Sequence, residues 1–130
     1  MYTAVTHGVR VTVTPTYLEE QSHPDEGRYF FAYTVEITNL NAERVRLRDR
    51  YWKIVDGHGR VQEVHGAGVV GRQPVLGPGE VFTYTSGCPL DTPDGTMQGH
   101  YRMERSGGDL FEAEIPAFSL DSPYSRRSLH

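Results

Sequence analysis

The 130-residue sequence predicts an all-β fold, an antiparallel β-sandwich of about seven or eight short strands. Three observations point there. The composition favours strands, with 13 Val, 11 Thr and 8 Tyr against 6 Ala and a single Lys. Apolar side chains alternate with polar ones between turn residues spaced roughly 8–12 positions apart. No helical i, i+3, i+4 stripe outlasts one turn. A small closed barrel is the alternative arrangement of the same strands.

The elements follow in order. Val9, Val11 and Val13 alternate with Arg10, Thr12 and Thr14, which predicts a strand with one apolar face. Tyr29, Phe31, Tyr33, Val35 and Ile37 carry the strongest alternation, and Phe30 on the second face marks this strand as central. Beyond the turn-forming Asn39 and Asn41, Val45 and Leu47 put the apolar phase on odd positions, whereas Trp52 and Ile54 lie on even ones. A one-residue slip turns every side chain to the other face, so a bulge or break is expected near Asp49 and Arg50. Asp56–Gly59 is a glycine-rich turn, and residues 60–64 return as a strand. Residues 80–86 form the next strand, followed by a turn-rich connection over 88–95. Met97, Gly99, Tyr101 and Met103 alternate into Ser106–Gly108, across which Leu110–Ile115 run back as a hairpin. Residues 18–27 read as a polar loop. Residues 1–122 are expected to form one domain, with 123–130 fraying as a flexible C-terminal tail.

Charge and composition exclude several functions. Thirteen basic and 17 acidic side chains leave a net charge of −4, against the strongly basic balance of nucleic-acid binders. Apolar runs are broken within about seven residues, far short of the roughly 20 that a membrane span needs. The first fifteen residues have no signal-peptide architecture. Cys88, the single cysteine, can form neither an internal disulfide nor a four-cysteine zinc site. The expectation is a cytoplasmic protein without membrane or nucleic-acid partners. Twelve of its 13 basic residues are arginine, the better bidentate anion ligand, although a GC-rich genome produces the same bias.

Few residues suggest chemistry. Gly66, Gly68 and Gly71 match G-x-G-x-x-G, but that fingerprint requires a helix opening from it. Pro74, Gly77, Pro78 and Gly79 forbid one here, so the dinucleotide reading fails. The loop could still aim backbone N–H groups at an anion, with His65 and Arg72 adding charge. Alternatively, its glycines only supply positive φ in a long loop. Arg44, Arg46, Arg48 and Arg50 recur at period two. On an unbroken strand they would form a cationic stripe, side chains about 6.5–7 Å apart, able to grip phosphates or an acidic protein partner. The bulge would swing Arg50, and to a lesser extent Arg48, off that line. The alternative is a solvated face balanced by Glu36, Glu43 or Glu63.

Asp56, His58, Glu63 and His65 are metal-ligand types, yet their spacing matches no compact ligand motif. His100, between Gly99 and Tyr101, reads as a buried, hydrogen-bonded core histidine. Cys88 has no local histidine to activate it, Ser86 lacks the G-x-S-x-G elbow, and no carboxylate pair stands out. The sequence therefore predicts no catalytic site, no resident metal and no cofactor.

Residues 24–39 (PDEGRYFFAYTVEITN), 51–90 and 95–104 (GTMQGHYRME) together resemble the ApaG family. The W-x-I-x-D-G-x-G-R turn, the glycine loop, the P-x-L-x-P-G-E segment and the MQGHY strand occur in the family's order, and the likeness spans about residues 5–120. Ala67 departs from the pattern, standing where many members carry an acidic residue. The resemblance implies an immunoglobulin-like or fibronectin-type-III-like sandwich and brings no catalytic residues. It implies a gene neighbouring a diadenosine tetraphosphate hydrolase and a ribosomal RNA dimethylase, and a link to cobalt tolerance and magnesium efflux. Related eukaryotic domains look like protein-interaction modules, and nucleotide or pyrophosphate binding has been suggested for the glycine loop. Two functions are carried forward. One is a non-enzymatic module binding an unidentified protein partner through Arg44, Arg46 and Arg48. The other is a binder of phosphate-containing small molecules through Gly66, Gly68, Gly71 and Arg72.

Overall fold

The computed structural model of the protein describes residues 1–125. Nine strands run in order: β1 Tyr2–Thr6, β2 Val9–Tyr17, β3 Tyr29–Asn39, β4 Val45–Asp56, β5 Val61–Ala67, β6 Val75–Leu76, β7 Val81–Leu90, β8 Asp94–Arg105 and β9 Leu110–Asp121. They form two antiparallel sheets, ordered β1-β2-β3-β7 and β5-β4-β8-β9, with β6 paired to β4 beyond the end of β5. This is the expected sandwich, and among the described residues no hydrogen-bonded strand pair closes it into a barrel.

Alternation builds the core. Val9, Val11, Val13, Phe31, Val35 and Ile37 from one sheet meet Leu47, Trp52, Met97, Tyr101, Met103 and Ile115 from the other, all buried. The phase conflict in β4 resolves as expected but one residue earlier. Leu47 pairs with Met103 and Asp49 with Arg102, so Arg48 is the extra residue. Up to Leu47 odd residues face the core; by Trp52 even ones do. The bulge falls where β4 exchanges β6 for β5 as its neighbour, and the Arg48 carbonyl accepts both Gly68 N–H and Gln73 Nε2 there. A second register shift lies between Met97 and Gly99 of β8. At Gly99 a Cβ would stand 1.9 Å from the Tyr51 carbonyl oxygen, so only glycine permits this approach of β8 to β4.

Two expectations need correction. β1, not recognised in the sequence, forms a hairpin with β2 through His7 (φ 48°) and Gly8 (φ 77°), a two-residue turn with both central φ positive. β7 continues through Cys88 and Leu90, because Tyr29–Ala32 of β3 still pair with it, and the connection to β8 shortens to 91–93. Pro89 is tolerated since its other side is a free edge. Within the expected tail, Ser125 is buried: its N–H donates to the Ser122 carbonyl and its hydroxyl to Asp94. Residues 126–130 of that tail lie outside the described residues.

The two long sides of the sandwich differ. On one, β9 approaches β1 and β2 closely, and Glu114 N–H donates to the Thr6 hydroxyl. On the other, the edges of β5 and β7 have no comparable approach, and the sheets part like a wedge.

Candidate functional site

The bulge divides Arg44, which precedes β4, and Arg46 from Arg48 and Arg50. Arg44 and Arg46 project from the outer face and are exposed. Arg46 Nη2 bonds to Gln73 Oε1 at 3.3 Å, and neither arginine has an ion-pair partner among the described residues. They line a hollow of about 310 Å³ with Val45, Val75, Glu104 and Arg105. Val75 and Leu110 add exposed apolar surface at this end of the sheet. Arg105 is tied to Asp109 at 3.1 Å and lies over the Phe111 ring. Arg48 leans to Glu104, 3.4 Å away. The four do not form one stripe.

Arg50 has crossed to the inner face, between Gly66 on β5 and Tyr101 on β8. Its Nη1 donates to the carbonyls of Ala67 at 3.1 Å and Gly68 at 2.8 Å. A Cβ on Gly66 would come within 2.8 Å of that guanidinium, so Gly66 makes the room Arg50 occupies. Arg50 leaves the arginine line as the bulge predicted, although sequence reasoning did not count it among the site residues. The signal was present: an arginine just beyond a phase change, followed by even-numbered apolar residues, has to point inward.

The glycine loop is arranged for turning. Gly68 (φ 62°) packs on the Arg72 carbonyl, where a Cβ would stand at 2.2 Å. Val69 and Arg72 exchange both backbone hydrogen bonds across Val70 (φ 44°) and Gly71 (φ 77°), closing a second two-residue turn. The N–H groups of Gly68, Val69 and Arg72 are all donated within the protein. Arg72 lies 5.4 Å from the Phe82 ring centre. The loop thus turns carbonyls towards Arg50 and presents the Val70–Gly71 apex to solvent.

The remaining candidates separate. Asp56 Oδ1 accepts the N–H groups of His58 and Arg60, and its Oδ2 takes Arg60 Nε at 2.8 Å. His65 packs on Tyr51 at 4.8 Å between ring centres, and Glu63 accepts the Tyr51 hydroxyl. These four side chains do not converge on a common point. Among the described residues, the group whose ligand atoms do converge is His23, Asp25 and Glu26, all exposed. His100 is not a core residue: it faces out from β8, stacks on Tyr51 at 5.1 Å and reaches Glu112 at 3.4 Å. Tyr101 and Met103 hold the inward phase, which leaves even positions of β8 to solvent.

Between the parted edges of β5 and β7 lies a cavity of about 250 Å³, lined by residues of both sheets, among them Tyr33, Arg50, Trp52, Val64, Ser86 and Cys88. Tyr33 and Trp52 meet edge to face at 5.1 Å. Burial pushes the Tyr33 phenol above its ordinary range, with Ser86 as hydrogen-bond partner and the Arg50 charge opposing. Burial also pushes the Cys88 thiol up to about 11, so it is protonated and poorly nucleophilic at neutral pH.

Fold and site define an all-β sandwich domain whose charged side chains are spread over sheet faces and one open edge, not gathered round a nucleophile. The ApaG domain model matches residues 19–105. A Protein ApaG from Methylobacterium sp. (strain 4-46) is 66% identical over 130 residues, covering 100% of both chains, and one from Brucella anthropi is 56% identical over the same span. A crystal structure described as an ApaA protein from Bordetella pertussis superposes with a TM-score of 0.87 at 52% identity, covering 90% of this chain and 95% of that one. The chain belongs to the ApaG family. No helix among the described residues is long and apolar enough to cross a membrane.

Proposed function

We propose that the protein is a non-enzymatic, cytoplasmic binding module that recognises an acidic protein partner through the Arg44–Arg46 end of the outer sheet face, in a pathway connected with magnesium and cobalt homeostasis. The observation that carries this is local. Two exposed guanidiniums without ion-pair partners among the described residues sit beside Val75, with exposed Leu110 two strands away across Glu104, a mix of cation and apolar surface suited to a protein interface. Arg48, already engaged with Glu104, contributes less. The pathway rests on the family resemblance alone. Affinity capture at physiological salt with the wild type and with Arg44→Glu/Arg46→Glu tests the reading. A partner retained by the first and lost by the second is expected. Equal capture by both, or no partner from a protein that turns over a nucleotide, overturns it.

Phosphate or nucleotide binding through Gly66, Gly68, Gly71 and Arg72 is the second reading. What favours it is the Val70–Gly71 apex, whose N–H groups are not used in the turn's own hydrogen bonds, with Arg72 adjacent. An NMR titration with pyrophosphate and diadenosine tetraphosphate decides: saturable shifts confined to Gly66–Arg72 support it, and a silent loop removes it.

A further inference from the structure

We infer that the open side of the sandwich is a binding cleft for a small monocarboxylate with a flat apolar body, held by Arg50 and seated on Trp52 and Tyr33. The cleft has the elements of a ligand site: aromatic and aliphatic side chains beside polar groups that supply a comparable share of its lining. Trp52, Ile54 and Val64 come from one sheet and Cys88 from the other, while the Tyr33 and Ser86 hydroxyls and Gln62 are the polar members.

Charge decides the ligand class. Arg50 has no ion-pair partner among the described residues, and its Nη1 donates to two backbone carbonyls. The nearest acid along β4, Asp49, lies on the opposite face and is taken by Arg102 at 2.6 Å. With Nη1 committed to the two carbonyls, Nε and Nη2 are left to engage one carboxylate with two parallel N–H donors beside the aromatic walls. A pyrophosphate would bring more charge than one guanidinium neutralises, and burying the excess is costly. About 250 Å³, somewhat below the roughly 300–1,000 Å³ of most ligand pockets, suits a ring-sized body. On this view the glycine loop serves the anion indirectly, by holding the guanidinium in place.

The experiment titrates the intact protein with phenylacetate, with benzyl alcohol as the uncharged counterpart, reading backbone amide shifts and the emission of Trp52, the chain's single tryptophan. Saturable responses at Trp52, Tyr33 and Ser86–Cys88 are expected, with benzyl alcohol about tenfold weaker or worse, the loss of one charge-assisted contact. Arg50→Gln should weaken phenylacetate to the level of the alcohol. That change also removes the bonds to Ala67 and Gly68, so Ser86→Leu serves as an independent variant. It fills the cavity from the other sheet, leaves Arg50 in place, and should abolish the response while thermal unfolding stays cooperative. Equal affinity for the alcohol, undiminished binding by Ser86→Leu, shifts confined to Gly66–Arg72, or no saturation below about 10 mM would overturn the assignment.

Discussion

The hydroxyls of Tyr84 and Tyr101 meet in the middle of the core, one carried by β7 and the other by β8. Each satisfies the other, so two phenols from facing sheets are buried without a polar orphan. This contact ties the open side of the wedge together just inside Arg50, where the sheets begin to part. Tyr101→Phe leaves Tyr84 buried with an unsatisfied hydroxyl and should cost about 1–3 kcal/mol. Tyr84→Phe/Tyr101→Phe removes both groups and should cost less than the sum of the single changes. A double-mutant cycle by urea denaturation measures the coupling, and strict additivity would show that the pair contributes none.

Burial holds both phenols protonated well above the ordinary tyrosine range. Their native pKa values are raised, so the unfolded chain binds fewer protons once pH passes about 10. Stability from this pair is therefore complete below about pH 10 and declines above it. Alkaline titration should show these two tyrosines ionising only as the protein unfolds, and Tyr84→Phe/Tyr101→Phe should flatten the alkaline limb of stability. Reversible phenolate absorbance from all of its tyrosines in the folded protein would contradict this.

The three glycines of the loop answer to different obstacles and should rank accordingly. Gly68→Ala meets backbone at 2.2 Å with φ at 62°, and should cost at least about 2–3 kcal/mol. Gly71→Ala has φ 77° but open space around it, so only the left-handed conformation opposes it, by about 1–2 kcal/mol. Gly66→Ala meets the end of a flexible arginine and should be mild in stability. Its mark is a displaced Arg50, visible as shifted Ala67 and Gly68 amides. Equal costs for all three would mean that the loop acts as uniform slack.

Much of the architecture was legible because alternation is local. The strands around Val9–Val13 and Tyr29–Ile37 declare themselves, and so does the bulge, since Val45 and Leu47 cannot share a face with Trp52 unless the register slips. β1 was hidden because its alternation is shallow, every residue being exposed or half-buried, and because its turn uses His7 where asparagine would have signalled a hairpin. β6, two residues long, has no periodicity to read. Arg50 shows the limit. Placing the bulge one residue late left its face ambiguous, and the cleft it borders depends on how far apart two sheets stand, which no run of residues encodes.

Val70 is a β-branched residue at φ 44°, a conformation that asparagine adopts readily and valine does not. The residue is 55% exposed, so little burial is lost on replacing it. Val70→Asn should stabilise the protein by about 1 kcal/mol, read as a higher urea midpoint with unchanged slope. A destabilised variant would show that the valine side chain makes a contact worth more than its strain.

Asp56 organises the turn that joins β4 to β5, and its protonation sets how that turn responds to acid. Partial burial raises its pKa, but the N–H groups of Arg60 and His58 and the Arg60 guanidinium outweigh that, and the net shift is downward. A depressed native pKa means that the stabilisation is fully present above the unfolded value, about 3.9, and is lost as pH falls through the lower native one. Asp56→Asn keeps an acceptor for the two N–H groups but abolishes the ion pair. It should therefore unfold at lower urea than the wild type at pH 7, with the gap narrowing as pH falls below about 4. A gap that stays the same size into acid would assign the carboxylate's contribution to shape and hydrogen bonding, with its charge carrying none of it.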